Sequence, residues 1–152
     1  MQDLPHHYRV AASAAAEGEV ELAAAGLEPI RSAAPAEFGG PGDRWSPETL
    51  LVAAIADCFI LTFRAIARAS KLPWTALRCE VLGTLERSGG ATRFTEFTIN
   101  AALEVPGDTS EEKARRLLEK AEAGCLISSS LSGTKRLQAS VAVASPGRMS
   151  AA

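Results

Sequence analysis

The segment 50–63, LLVAAIADCFILTF, is an almost uninterrupted apolar run, and it constrains the fold more than any other stretch of the chain. The residues just before it favour the start of a helix, because Ser46 suits the N-cap and Pro47 suits the first helical position. A helix cannot continue through Pro73. The sequence therefore predicts a helix from about residue 47 to residue 70.

The apolar residues of this helix occupy every face between Leu50 and Leu61. A helix on the surface of a globular protein keeps one polar face, so we expect this one to be central and buried. One small sheet cannot cover all of its faces. A second copy of the chain would supply the missing cover, and the helix therefore predicts an intimate homodimer.

Segments of alternating polarity indicate strands on either side of the helix. The segments 77–87 and 92–105, joined by SGGA, alternate apolar and polar residues and predict an antiparallel hairpin. The alanine-rich segment 8–25 predicts another hairpin, because Glu17 and Gly18 stand like a turn between two short runs.

A second helix and a last strand complete the pattern. Thr109 and Glu112 have the spacing of a capping box that opens a helix. Gly124 would end that helix, so that CLISSSLSG begins a separate short helical turn. The last strand is expected to end at residues 146–147. One face of it carries the apolar residues Leu137, Ala139, Val141 and Val143.

The order β, β, long α, β, β, α, β predicts an α+β fold in which an antiparallel sheet covers the long helix. A chain of 152 residues suits a single domain over 1–152. We expect 1–7 and 146–152 to be flexible ends. The Gly- and Pro-rich stretch 34–46 predicts a surface loop, and long loops in compact domains are often functional.

Charge and composition limit the classes of partner. The net charge is −2, and acidic and basic residues are interspersed, which argues against binding to nucleic acid or to an anionic membrane surface. The N-terminal sequence MQDLPHHYRV lacks the pattern of a secretion signal, so we expect a cytoplasmic protein. Asp57 and Arg64 interrupt the apolar run, which is shorter than the roughly 20 residues of a membrane span. We expect no transmembrane segment.

The cysteines and histidines argue against structural disulfides and metals. Cys58, Cys79 and Cys125 are odd in number and widely spaced, so a disulfide framework is not expected in a reducing cytosol. His6 and His7 are adjacent and belong to no metal-binding spacing, and a bound metal is not expected either.

Taken singly, each cysteine is best explained as core filling, because cysteine is among the most buried residue types. That reading is strongest for Cys79, which falls on a strand face. Cys58 and Cys125 belong to helices from opposite halves of the chain, and a packed α+β domain could bring their thiols together. A helix start at Cys125 would favour the thiolate. Inert packing and a redox pair both stay open at this point.

Charged residues near the helix start are further candidates. Glu48 lies in the first helical turn, where a carboxylate complements the helix dipole. It precedes Cys58 by ten residues, roughly 15 Å along a straight helix, so the two cannot cooperate within one straight helix. An arginine beside a cysteine would lower its pKa, although a surface role is the default for any arginine. The available arginines are Arg9, Arg31, Arg44 and Arg64.

The sequence PAEFGGPGDRWSPETLLVAAIADCF, followed far downstream by GCLISSSL, resembles the OsmC/Ohr family of thiol peroxidases in its OsmC-like branch. The resemblance covers nearly the whole chain. It implies an OsmC-like intertwined homodimer, with antiparallel sheets wrapped around long central helices and two sites at the interface. It implies no metal or organic cofactor.

The resemblance also implies roles for residues. Cys58 corresponds to the peroxidatic cysteine, which attacks an organic hydroperoxide or hydrogen peroxide and becomes a sulfenic acid. Cys125 corresponds to the resolving cysteine, which forms a Cys58–Cys125 disulfide that an external dithiol reduces. Glu48 corresponds to the acid that holds an arginine over the thiol. Other residue types fill the family's arginine position here, so Arg31 and Arg44 are the candidate substitutes.

Two further interpretations remain. The chain could be a non-catalytic OsmC-like module that binds a small hydrophobic ligand at the dimer interface and uses its cysteines for packing, or it could form a regulatory disulfide without turnover. The pKa of Cys58 separates catalysis from packing, because a value at or above that of a free thiol, about 8.5, favours packing.

Overall fold

A computed structural model describes residues 3–144 and has two three-stranded sheets together with α-helices, which confirms the predicted α+β class. The chain forms two compact units, one up to Leu51 and one from Val52 onward. The prediction of a single domain over 1–152 stays a prediction. The predicted flexible end 146–152 lies outside the described residues, and the last strand ends at Val143, earlier than the predicted end at 146–147.

The first unit contains an antiparallel sheet in the order β1-β2-β3. Its strands are β1 (Ala11–Ala14), β2 (Val20–Ala23) and β3 (Ile30–Ser32). The hairpin between β1 and β2 confirms the prediction for the segment 8–25. Its turn contains Gly18 with a φ of 98°, a conformation that favours glycine. The sequence analysis missed β3, because three residues are too few to show an alternating pattern.

The long helix α1 spans Pro47–Ala69, close to the predicted 47–70. Its start is fixed by reciprocal hydrogen bonds. The backbone N–H of Thr49 donates to Ser46 Oγ at 3.2 Å, and the backbone N–H of Ser46 donates to Thr49 Oγ1 at 2.8 Å. This is a capping box with threonine in the place usually held by Glu or Gln.

The chain buries only one stripe of α1. The fully buried residues of the helix recur at every fourth position and are Ile55, Phe59, Phe63 and Ala67. Leu61, on another face, is 50% exposed. The expectation of a helix buried on every face is therefore wrong for the chain taken alone, because the elements of one chain cover only this stripe.

By length and composition, α1 also meets the criteria for a helix that could cross a membrane. The central helices of soluble proteins meet the same criteria. The expectation of no transmembrane segment thus stays a prediction.

The second unit contains a sheet in the order β4-β5-β6. The strands β4 (Ala76–Ser88) and β5 (Ala91–Val105) form the predicted antiparallel hairpin. The last strand, β6 (Thr134–Val143), instead pairs with β5 in parallel, so this sheet is mixed rather than wholly antiparallel. The chain passes through two helices between β5 and β6 and returns to the end of the sheet where β5 began. For this reason β6 runs in the same direction as β5.

Gly83 marks the place where β4 passes close to α1. A Cβ at this position would lie 2.9 Å from Val52 Cγ2 and 2.9 Å from Phe94 Cε1. Any larger residue would push the strand away from these side chains. The glycine therefore keeps β4 in close packing with the helix.

The helix α2 (Glu111–Gly124) packs against β6 through its apolar stripe. The stripe consists of Ala114, Leu117, Leu118 and Ala121, as the spacing predicts. The N-cap is Ser110, whose Oγ accepts the backbone N–H of Lys113 at 3.2 Å, and not Thr109 as expected. Thr109 instead belongs to the preceding turn, where its backbone N–H donates to the carbonyl of Pro106 at 3.0 Å, so the cap falls one residue later.

A separate single-turn helix, α3 (Leu126–Ser129), follows α2 after a break. The break falls at Cys125, whose extended backbone (φ −70°, ψ 110°) ends one helix and caps the next. This confirms the expectation that the helix ends near Gly124 and that a new turn begins at the cysteine.

Candidate active site

The second unit brings Cys58 and Cys125 together. Cys58 lies in the middle of α1 and is half-buried, whereas Cys125 is completely buried at the break between α2 and α3. The two thiols are hydrogen-bonded to each other and remain free, with no disulfide. The structure thus joins the two cysteines that the sequence analysis singled out from opposite halves of the chain.

Three further hydrogen-bond donors surround the sulfur of Cys58. Thr62 lies one helical turn later on α1, and its Oγ1 is 3.9 Å from Cys58 Sγ. The backbone N–H groups of Leu126 and Ile127, at the start of α3, also point to this sulfur. A thiolate at Cys58 would therefore accept hydrogen bonds from a hydroxyl, a thiol and two amides.

These donors lower the pKa of Cys58. Burial is the largest single influence and raises the pKa, because it penalises the charged thiolate. The amide of Ile127, the thiol of Cys125, the hydroxyl of Thr62 and the amide of Leu126 act in the opposite direction. Together they outweigh burial, and the pKa of Cys58 lies below that of an ordinary thiol.

The pKa of Cys125 moves the other way. Burial raises it most, hydrogen bonds from Ser128 lower it, and the neighbouring Cys58 raises it further. The net direction is upward. Of the pair, Cys58 is therefore the thiol that ionises first, and Cys125 is the donor in the hydrogen bond between them.

Cys79 lies on β4 opposite Ala101 of β5, on the face of the sheet that carries buried apolar residues. It is half-buried, and burial raises its pKa to about 11, with a smaller contribution from Cys125. The structure gives it the packing environment that the sequence predicts.

An open pocket of about 650 Å³ gives access to Cys58. Thr62 and Gly124 also line it, and Asp57 is its one charged lining residue within the described chain. Its apolar wall is formed by Ala54, Leu61, Ala65, Leu126 and Ile127. The thiol is thus reached through a mostly apolar opening.

Glu48 lies in the first turn of α1, as predicted. Its side chain is half-buried, and Oε2 is fully buried with no hydrogen-bond partner among the described residues. The sequence analysis expected this carboxylate to hold an arginine, and within residues 3–144 the structure shows no such ion pair.

The two candidate arginines bind a different acid in the first unit. Arg31 contacts Glu19 with its guanidinium at 3.2 Å, and Arg44 contacts the same carboxylate at 2.5 Å. Arg44 also contacts Asp43 at 3.2 Å. These ion pairs lower the pKa of Glu19 and raise that of Arg44. Neither arginine pairs with Glu48 in the described structure.

The sequence analysis missed Thr62 and the two amides. Thr62 could have been found, because a residue four positions after Cys58 lies on the same helical face. The two amides could not be predicted from residue types, because every residue except proline has a backbone N–H. Within residues 3–144, no group of three His, Cys, Asp or Glu side chains is placed to hold a metal ion.

Comparison with known proteins gives a consistent result. The model of the family described as OsmC-like protein matches residues 40–140. The uncharacterized protein YmaD of Bacillus subtilis is 30% identical over 112 residues, which cover 72% of this chain and 75% of YmaD.

Solved structures share the fold. An OsmC-like protein of unknown function from Vibrio cholerae superposes with a TM-score of 0.82 at 16% identity, covering 90% of this chain and all of that one. An organic hydroperoxide resistance protein from Legionella pneumophila superposes with a TM-score of 0.72 at 25% identity, covering 93% of this chain and all of that one.

Proposed function

Because the chain belongs to the OsmC/Ohr family, we propose that it is a cysteine-based peroxidase that reduces organic hydroperoxides. Cys58 is the peroxidatic cysteine in this proposal, and Cys125 is the resolving one. The family includes proteins named for organic hydroperoxide resistance, which supports the choice of substrate.

One observation supports this assignment above all others. The thiol that opens into the pocket has the lowered pKa, and the thiol hydrogen-bonded to it is buried and has a raised pKa. A peroxidatic cysteine must ionise and meet the peroxide, whereas a resolving cysteine only has to reach the product. The two environments match these two requirements.

In the first step, the Cys58 thiolate attacks one oxygen of the O–O bond. An S–O bond forms, the O–O bond breaks, and the alkoxide leaves and takes a proton from water. Sulfur is oxidised by two electrons to the sulfenic acid, and the peroxide is reduced to the alcohol. The amides of Leu126 and Ile127 stabilise the thiolate before the attack.

In the second step, the sulfur of Cys125 attacks the Cys58 sulfenic acid. An S–S bond forms, the S–O bond breaks, and the hydroxyl takes the proton of the Cys125 thiol and leaves as water. An external dithiol then reduces this disulfide by thiol–disulfide exchange, which regenerates both thiols and oxidises the reductant. We place this cycle in the cytoplasm, where dithiol reductants are available.

The pocket favours apolar, uncharged hydroperoxides. Its wall is mostly aliphatic, so an alkyl group loses water on entering it. Asp57 would repel an anionic substrate such as a fatty-acid hydroperoxide with its free carboxylate. Hydrogen peroxide, which has no apolar part, gains nothing from this wall and is the weaker substrate.

The active form in this proposal is a homodimer. Leu61 of α1 is 50% exposed and Leu126 of α3 is 77% exposed, although both belong to the apolar wall of the pocket. A second copy would bury these side chains and complete the wall. Glu48, whose Oε2 is buried with no hydrogen-bond partner in the described part of the chain, corresponds to the acid that the family resemblance implies.

Peroxide consumption provides the test. The purified chain with dithiothreitol should consume cumene hydroperoxide, and Cys58→Ser should abolish the activity, because serine does not attack peroxides. Cys79→Ala is the matched control and should retain the wild-type rate. A Cys58→Ser protein with full activity would refute the proposal.

The alternative is a non-catalytic module that binds a small hydrophobic ligand. The same pocket could hold such a ligand, but this interpretation needs Cys58 to be an ordinary packed thiol. The lowered pKa of Cys58 favours the peroxidase over the module.

A further inference from the structure

We propose that Thr62 is a positioning residue of the reactive thiol: its hydroxyl, one helical turn away on α1, donates a hydrogen bond to the Cys58 thiolate. This inference rests on the proposed function and extends it to a residue outside the cysteine pair. It assigns to a neutral side chain part of the stabilisation that an arginine would give.

The position of Thr62 on α1 makes the hydrogen bond local. Residues four apart on a helix lie one above the other on the same face. The distance of 3.9 Å between Thr62 Oγ1 and Cys58 Sγ is within reach for sulfur, which is larger than oxygen. Once Cys58 is ionised it can only accept, so the hydroxyl must be the donor.

The methyl group of Thr62 lies beside Gly124, the last residue of α2. A Cβ built at Gly124 would be 3.5 Å from Thr62 Cγ2. Threonine in a helix divides between two χ1 rotamers because its hydroxyl can also bond to a carbonyl of the preceding turn. In the rotamer seen here the methyl is turned toward Gly124, and the hydroxyl is the group within reach of Cys58 Sγ.

The surroundings of Cys58 give this hydroxyl its importance. Burial opposes the thiolate more than any other influence, so several donors must act together. In the described part of the second unit, Val52–Ala144, no lysine or arginine is hydrogen-bonded to Cys58. Thr62 and Cys125 are the two side chains that donate to it, and Cys125 is consumed when the disulfide forms.

The test compares Thr62→Val with Thr62→Ser in the full-length reduced protein. Valine keeps the branched shape and removes only the hydroxyl, while serine keeps the hydroxyl. The readout is the rate at which iodoacetamide alkylates Cys58 as a function of pH, followed by mass spectrometry of the Cys58 peptide. Thermal unfolding of both variants checks that each is folded.

We expect the midpoint of the Cys58 profile to rise by about 0.5 to 1 pH unit in Thr62→Val, because a hydrogen bond to a charged group is lost. Thr62→Ser should recover at least half of this shift. An unchanged midpoint in Thr62→Val, or the same rise in both variants, would overturn the inference.

This outcome is separate from that of the proposed function. If the wild type reduces cumene hydroperoxide while Thr62→Val keeps the wild-type midpoint, the peroxidase stands and the role of Thr62 is wrong. If the midpoint rises in Thr62→Val but the wild type consumes no hydroperoxide, the role of Thr62 stands and the proposed peroxidase function is wrong.

Discussion

Cys58 and Cys79 are both half-buried thiols of the second unit, yet their pKa values move in opposite directions. Burial is the largest influence on both and raises both. Around Cys58, hydrogen-bond donors more than offset it. Around Cys79, no hydrogen bond among the described residues does so, and the pKa rises to about 11. Hydrogen-bond donors to the sulfur, rather than exposure alone, therefore distinguish the thiol of lowered pKa from the thiol of raised pKa.

The largest expected effect is in the products of oxidation. One equivalent of cumene hydroperoxide should convert most chains to the Cys58–Cys125 disulfide and leave Cys79 free, because the pKa of Cys58 is lowered whereas that of Cys79 is raised to about 11. Peptide mapping by mass spectrometry measures the linkage. Substantial oxidation of Cys79 with Cys58 still reduced would contradict the comparison.

The variant Cys125→Ser should stop turnover with a dithiol that reacts only with disulfides, because no disulfide can form. Cys58 should then accumulate as sulfenic acid. A dimedone-type probe followed by mass spectrometry detects it, and Cys79→Ala serves as the control that should show no increase. Absence of the probe from Cys58 would mean that Cys125 does not resolve it.

The next effect in size is the difference between the alkylation rates of Cys58 and Cys79. The pKa of Cys58 lies below the ordinary value, and that of Cys79 is about 11, so near neutral pH the thiolate fractions differ by more than about 100-fold. A thiolate of lower pKa is intrinsically less nucleophilic, which reduces the rate ratio to about tenfold. The Cys58 rate should level off first as pH rises. Equal rates at pH 7 would break the contrast between the two thiols.

The smallest expected effect is on stability. Cys79→Ala removes a sulfur that packs on the apolar face of β4, and it should lower the free energy of unfolding by about 1 kcal/mol. Urea unfolding measures this change. The alkylation profile of Cys58 should stay unchanged in the same variant, and a shift in that profile would show that the two regions are coupled.

Helix ends and long strands could be predicted from the sequence, because they depend on residues that are close together in the chain. Ser46 and Pro47 fixed the start of α1 because capping depends on the residues at the helix end. The long β4–β5 hairpin followed from alternation over more than ten residues. The pairing of Cys58 with Cys125 required the family resemblance, because no local rule connects two distant helices.

The remaining features depend on tertiary packing. The parallel direction of β6 follows from the path of the chain through α2 and α3. The residues of the strand itself do not indicate this direction. The bonding of Arg31 and Arg44 to Glu19 depends on which strands become neighbours in the first sheet. The donation of main-chain amides to Cys58 depends on where α3 begins.

The break at Cys125 has a mechanical consequence for the proposed cycle. A disulfide needs its sulfur atoms at about 2.05 Å, closer than two hydrogen-bonded thiols, so one sulfur must travel when the bond forms. Cys58 is fixed inside a helix of six turns. Cys125 lies at a joint of extended backbone between two helices. Rotation at this joint can bring its sulfur forward without unwinding either helix, and each catalytic cycle would then bend and straighten the chain at one residue.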